Sequence, residues 1–300
     1  MRGLWPSTAR RCSHLLRGFA ARMAVAVAVL LICGLLAATL VRMAPGFGMD
    51  ERMLDMRLSS GSLLAMERQG AEHSDILHYY WHYLRQLSRG DLGNSLSWGR
   101  PVRDLLSERL ALSLGSAAAG LGLAWMLALG TVTMLELSQR GIAEGLASLV
   151  AGALLCTPAA LLALACVYIG ATPALAIATI VFPRIFRYAR DVVRQAGAAP
   201  HVLTAHALGL APLRILACHV APPVLPEFVA LGGISVSMAM GALIPVEALC
   251  DSPGVGQLLW QAAMARDLPV LVNVTLLLAA FTIGANLLSD TARCAREGHP

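Results

Sequence analysis

The 300-residue sequence predicts an all-α membrane protein with six transmembrane helices and both ends on the cytoplasmic side. Three observations carry this prediction. Apolar residues other than glycine make up 57% of the chain and charged residues only 14%, where soluble domains carry about 25% charge. The apolar residues gather into six runs separated by polar or arginine-bearing stretches. Two arginine clusters, one before the first run and one after the fourth, sit on the side that the positive-inside rule calls cytoplasmic.

Residues 1–22 hold Arg2, Arg10, Arg11, Arg17 and Arg22 and no acidic residue, which places this segment inside. The first span, 23–41, is nineteen residues without a charge. At the α-helical rise it covers roughly 28 Å, longer than the apolar core of a signal peptide. It passes directly into Arg42-Met43-Ala44-Pro45-Gly46, so it reads as a retained anchor. From Arg42 to Arg109 the chain is polar, with nine arginines against nine acidic residues, and alternation places it outside. Within it Ile76, Leu77, Tyr80, Trp81, Leu84 and Leu87 recur at helical spacing, with Ser74 placed to start a helix and Gly90 to end it. Such a helix lies on the bundle or at the membrane interface.

The second span is 110–135, with Pro101 opening an extension ahead of it, and the third is 145–169. Gly170-Ala171-Thr172-Pro173 is nearly the whole external link to the fourth span, 174–186. Arg184, Arg187, Arg190 and Arg194 follow, opposed only by Asp191, and mark a cytoplasmic stretch. Residues 196–227 form a mixed cytoplasmic segment, 228–246 the fifth span, 247–268 an external loop, 269–288 the sixth span and 291–300 an internal tail. Residues 23–290 thus form one transmembrane domain, and no repeat or low-complexity linker divides it. Pro158 and Pro183 fall inside spans, where proline can break a helix and open a cavity.

All 23 basic residues are arginine. Without lysine the chain can form neither a Walker A phosphate site nor a Schiff base. The arginines are spread between apolar runs, which suits orientation in a lipid membrane rather than binding of nucleic acid. The seven cysteines have no metal or redox spacing, so no disulfide framework, structural zinc or other cofactor is expected. The Gly-x-Ser-x-Gly and His-Glu-x-x-His signatures are absent and no span holds a central pair of carboxylates, so no catalytic residue is expected. A stand-alone channel or ion-coupled carrier is the alternative. Carriers place ionisable groups near the midplane, and these spans hold almost none there.

Three sets of polar residues are weighed individually. His78 and His82 share a helix face, but the helix supplies no third ligand, and interface packing explains them better than a metal. Asn286 and Asp290 at one end of the sixth span, and Glu247 at the outer end of the fifth, read as solvated or as paired with nearby arginines. The segment Thr204-Ala205-His206-Ala207-Leu208-Gly209-Leu210-Ala211-Pro212 predicts a short helix ended by Gly209 and a turn at Pro212. A second short helix and the proline-rich run Pro222–Pro226 lead from it into the fifth span. Two helices held at a fixed angle beside a membrane make a rigid knob suited to a groove on a partner.

Ala205, Gly209 and His219, followed by Pro222–Pro226, resemble the EAA loop of permease subunits of binding-protein-dependent ABC importers, within the dipeptide/oligopeptide/nickel class. Three further stretches resemble the same class. They are Arg42-Met43-Ala44-Pro45-Gly46, then Arg89-Gly90-Asp91-Leu92-Gly93-Asn94-Ser95-Leu96 with Gly99-Arg100-Pro101-Val102, and last the loop from Glu247 to Pro269. That loop carries Glu247, Pro253, Gly254, Gly256, Arg266 and Asp267 as its motif residues. The first two stretches are similar to the subunit of the permease pair with the long first external loop.

The resemblance implies a type I ABC importer permease fold in the bacterial inner membrane, translocating a small solute such as a peptide or nickel. It implies a second permease subunit, two ABC ATPase subunits that hydrolyse the ATP, and an external solute-binding protein. It makes Thr204, Ala205, His206, Gly209, Leu210 and Pro212 the residues of contact or shape toward the ATPase. The position six before the glycine, polar or charged in the family, is Leu203 here, which turns docking toward apolar contact. The link Gly170–Pro173 is shorter than the family's external excursion at that place.

Overall fold

A computed structural model describes residues 23–36, 39, 81, 85–87, 89–138 and 141–297, with side chains of the last helix described as far as Ser289. His78, His82, Ser74 and Arg42–Gly46 lie outside the described residues. Among the described residues the regular elements are helices, joined by turns and loops, with an isolated antiparallel bridge between Asn94 and Pro101. In order, the helices are α1 (Met23–Leu36), α2 (Val102–Ser138), α3 (Gly141–Cys156), α4 (Ala159–Tyr168), α5 (Pro173–Gly197) and α6 (Pro200–Ala207). They continue with α7 (Pro212–Ile215), a π-helical turn (Leu216–Val220), α8 (Ala221–Leu249), α9 (Val255–Met264) and α10 (Leu268–Glu297). Contacts divide the described chain into two compact units, residues 109–257 with 280–297, and residues 23–108 with 258–279.

In the first unit α5 is the central helix and packs against α3, α4 and α8. Its sequence explains why. Ile177, Val181, Ile185, Ala189 and Val193 recur every four residues and are buried, while Arg184, Arg187, Asp191 and Arg194 fall on the exposed side. The fourth predicted span is therefore the first part of a longer helix that continues to Gly197. Along α2, Ser113, Ala117, Ala124, Ala128, Val132 and Leu135 form a buried stripe, while Leu112, Met126, Leu127, Leu129 and Met134 are exposed. Small residues on the packed side and large apolar ones on the other is the pattern of a helix that faces lipid, where close backbone approach replaces the hydrophobic effect between helices.

Among the described residues, three helices are long and apolar enough to cross a membrane: Val102–Ser138, Pro212–Leu249 and Leu268–Ser289. The third predicted span departs from a single rod, because α3 and α4 meet at a bend of 103°. Pro158 is the cause. It sits in an extended conformation with ψ 139° before α4 and contributes no N–H to the helix that ends at Cys156. Pro183 behaves differently and stays within α5, as Pro226 and Pro245 stay within α8.

In the second unit, Val272 is buried against Leu35, Leu87, Leu271 and Leu276. Leu87 belongs to the amphipathic pattern predicted before Gly90. Gly90 closes the helical stretch described at residues 85–87: it has φ +79°, donates to the Leu87 carbonyl at 2.9 Å, and the next N–H reaches Gln86 O at 3.1 Å. The chain then turns back on itself. Ser95 N donates to Arg100 O at 2.9 Å and Val102 N to Gly93 O at 3.0 Å, so a short hairpin leads into α2.

Candidate functional site

The 200–220 segment folds from local signals. Pro200 occupies the first turn of α6, where its missing N–H costs nothing. Leu210 N donates to Ala205 O at 3.3 Å and Gly209 N to His206 O at 2.9 Å, with Gly209 at φ +73°. This paired closure, with a left-handed residue just past the helix, is a Schellman turn, and glycine takes that conformation without a Cβ penalty. Pro212 opens α7, and the π turn joins it to α8. His201 Nε2 donates to the His219 carbonyl at 3.2 Å and ties α6 to that turn.

The site residues divide by exposure. Val202 and Ala205 are buried, so Ala205 shapes the knob from within. Thr204, His206, Gly209 and Pro212 are exposed and Leu210 is half-buried. Leu203, Leu208 and Leu213 are 61%, 74% and 60% exposed. The outward surface is therefore apolar with a few polar groups. Sequence reading missed the π turn, for which no residue pattern gives a signal; such turns often mark functional places in helices.

The loop after α8 is organised by Glu247. The expectation that this carboxylate is solvated or paired with arginine is corrected by its burial, with no exposed surface at all. Its Oε2 accepts the Gly256 N–H at 2.7 Å, and its carbonyl accepts Ser252 N at 3.1 Å. The loop folds back so closely that a Cβ on Gly254 would lie 2.2 Å from Glu247 Oε2, and one on Gly256 2.7 Å from Leu243 O. Val255 N donates to Ser113 Oγ at 2.7 Å, which fastens the loop to α2. Pro253 lies on the exposed side of this loop. Glu247, Gly254 and Gly256 thus form one packed cluster, and the two glycines are there because no side chain fits.

Asp267 is the matching carboxylate of the second unit, and it too is fully buried. Its Oδ2 accepts Ser95 Oγ at 2.5 Å and Ser97 N at 2.9 Å, and its Oδ1 accepts Val270 N at 3.3 Å in the first turn of α10. Asn273 Nδ2 donates to Leu92 O at 2.9 Å. The Arg89–Val102 stretch and the Arg266–Pro269 stretch, far apart in sequence, are therefore one hydrogen-bonded structure. Arg266 is exposed and left-handed, with φ 56°. Asn286 is exposed, and its Oδ1 accepts Ser237 Oγ at 3.2 Å.

A model of the inner membrane component of binding-protein-dependent transport systems matches residues 120–293. The chain belongs to this family. It is a permease subunit of an ABC importer, an inner-membrane protein, and the matched residues include both the 204–212 turn and the 247–267 loop. A Brucella ovis protein named as a peptide permease is 25% identical over 94% of this chain and 96% of its own length. The oligopeptide transport system permease protein OppB of Haemophilus influenzae is 25% identical over 78% of this chain and 88% of its own. The nickel import system permease protein NikB of Staphylococcus aureus is 21% identical over 90% and 87%. Membership of this family replaces the stand-alone carrier or channel alternative.

Proposed function

We propose that this permease moves a peptide or a nickel-related solute by alternating access, paired with a second permease subunit. Two ATPase subunits dock inside and a solute-binding protein delivers outside. The reading of cargo rests on the named relatives alone. The observation that carries the docking assignment is the Schellman-closed α6, which holds Leu203 and Leu208 outward on a rigid turn. Thr204, His206, Leu210 and Pro212 form the rest of that face, and Ala205 and Gly209 set its shape. A preformed apolar projection loses little freedom on binding, so its buried area goes into affinity. Arg266, Pro253 and the loop that Glu247 and Asp267 hold in place face the opposite compartment, toward the binding protein.

Six spans with both ends inside remain our reading of topology, with α3 and α4 together making one broken span. The support is geometric. Glu144 near the start of α3 pairs with Arg190, while only the four residues 169–172 separate the end of α4 from Pro173 at the start of α5. Between Pro173 and Arg190, α5 rises about 26 Å, close to the thickness of a hydrocarbon core. A re-entrant loop would return to its starting level. Reporter fusions after residues 15 and 205 are expected inside, and after residues 60 and 255 outside.

The docking assignment is tested in the reconstituted complex. Gly209→Val is expected to insert normally and to lose substrate-stimulated ATP hydrolysis, since a β-branched residue resists the left-handed turn. In a cysteine-free background, cysteine at exposed Leu208 is expected to crosslink to an ATPase subunit, and cysteine at buried Val202 to fail. Full stimulated hydrolysis in Gly209→Val together with no crosslink from Leu208 would sink the assignment.

A further inference from the structure

The arginine cluster that orients the chain contains a junction that orientation does not use. The Arg190 side chain is 14% exposed, against 75% for Arg194 one turn on. Its Nη1 donates to Glu136 Oε1 in the last turn of α2, and its Nη2 donates to Glu144 Oε1 in the first turn of α3 at 2.9 Å. Arg194 Nη1 stands 4.0 Å from the same Glu144 oxygen. Glu144 occupies a helix start, where the backbone dipole favours an anion, and Glu136 a helix end, where it opposes one. One guanidinium compensates the misplaced charge and bolts both helices to α5.

The junction is not saturated. Arg190 Nε is buried and has no hydrogen-bond partner. A guanidinium carries five donors in a rigid fork and grips a single carboxylate best through two parallel bonds. Here the fork is divided between carboxylates on two helices. A rotation that set Nε and Nη2 together on Glu144 would satisfy the orphan donor and release Glu136, whose side chain is one-third exposed and open to water. Each arrangement leaves one group short of a partner, which is the condition for a two-position element.

We propose that Arg190 is a positioning residue that carries movement of the 200–212 segment to the α2–α3 link by exchanging these two arrangements. The inference rests on the assignment of that segment to ATPase docking. Covalent continuity supplies the path, since α5 runs unbroken from Arg190 to Gly197 and only Ala198 and Ala199 precede α6.

The test uses the full complex in lipid, with its binding protein and ATPase subunits. Arg190→Gln is expected to leave co-purification of the ATPase subunits intact and to lower the ratio of stimulated to basal hydrolysis about fivefold or more, the usual size of a coupling between sites. Glu136→Gln, which keeps the Arg190–Glu144 pair, is expected to lower the same ratio. The double variant is expected to lower it no further, because both changes disable one switch. A purely structural ion pair would instead reduce yield and melting temperature while the ratio stayed at the wild-type value, and that result overturns the proposal. If Arg190→Gln fails to insert, Glu136→Gln decides by itself. Failure of the docking assignment reads differently: stimulated hydrolysis would then survive Gly209→Val and Leu208→Cys would give no crosslink.

Discussion

The ends of α6 and α9 are built on the same plan with opposite residues. After α6, Gly209 N reaches His206 O and Leu210 N reaches Ala205 O; after α9, Arg266 N reaches Ala263 O at 3.3 Å and Asp267 N reaches Ala262 O at 2.9 Å. The left-handed position is glycine in one, at φ +73°, and arginine in the other, at φ 56°. A side chain there costs about 1 kcal/mol or more. At α6 the residue serves the backbone, and the proposed docking role rests on the shape of the turn. At α9 the backbone accommodates an exposed arginine, whose guanidinium is the group proposed to face the binding protein. Asp251, left-handed after α8 at φ 49°, is a third case: its carboxylate accepts Gln257 Nε2 at 2.5 Å, so its side chain is already used within the loop.

The comparison breaks most heavily at Asp267, the residue that follows the arginine turn. Asp267→Ala strands Ser95 Oγ and Val270 N in a buried place, and a loss of about 3 kcal/mol is expected from their lost acceptor. Thermal unfolding in detergent measures it, and an unchanged midpoint would show that the carboxylate does not organise the loop. Next in size is Gly209→Arg, which copies the α9 arrangement into α6. It is expected to cost about 1–2 kcal/mol locally and to lose stimulated hydrolysis. Retained hydrolysis would mean that turn geometry is not what α6 supplies.

The reverse change, Arg266→Gly, sharpens the contrast. It relieves a strained backbone, so stability is expected to rise by up to about 1 kcal/mol after the greater freedom of unfolded glycine is subtracted. Binding-protein-stimulated hydrolysis is expected to fall in the same protein. A variant that is both more stable and fully stimulated would remove the guanidinium from any external contact. The smallest effect belongs to Leu203→Ala, an exposed position whose change is expected to move stability by less than about 0.5 kcal/mol. Weaker co-purification of the ATPase subunits, measured beside it, separates surface contact from folding.

Local chemistry was legible wherever one or two residues settle the backbone. Gly90 and Gly209 were expected to end helices, and both adopt left-handed φ just past one. Proline was less readable. Pro158 breaks a helix by 103° and Pro183 does not, yet both were candidates on the same grounds. Pro183 is buried along the packed face of α5, where neighbouring helices hold the rod together. Glu247 was misjudged because a carboxylate at a span end reads as solvated, whereas a backbone N–H arriving from Gly256, nine residues on, makes its burial tolerable.

By itself the sequence determined the membrane class, the order of apolar runs, the helix-ending glycines and the motif residues of the 204–212 and 247–267 stretches. The class, the runs and the glycines follow from composition, periodicity and backbone preference, which act over a few residues, and the motif residues come from the resemblance to the permease family. Tertiary structure alone decided that Arg190 bridges Glu136 and Glu144, that Asp267 receives Ser95, and that Glu247 receives Gly256. Those pairings depend on which helix faces meet. A charge carries no mark of its partner until packing brings a complementary group within reach and excludes the water that would otherwise serve in its place.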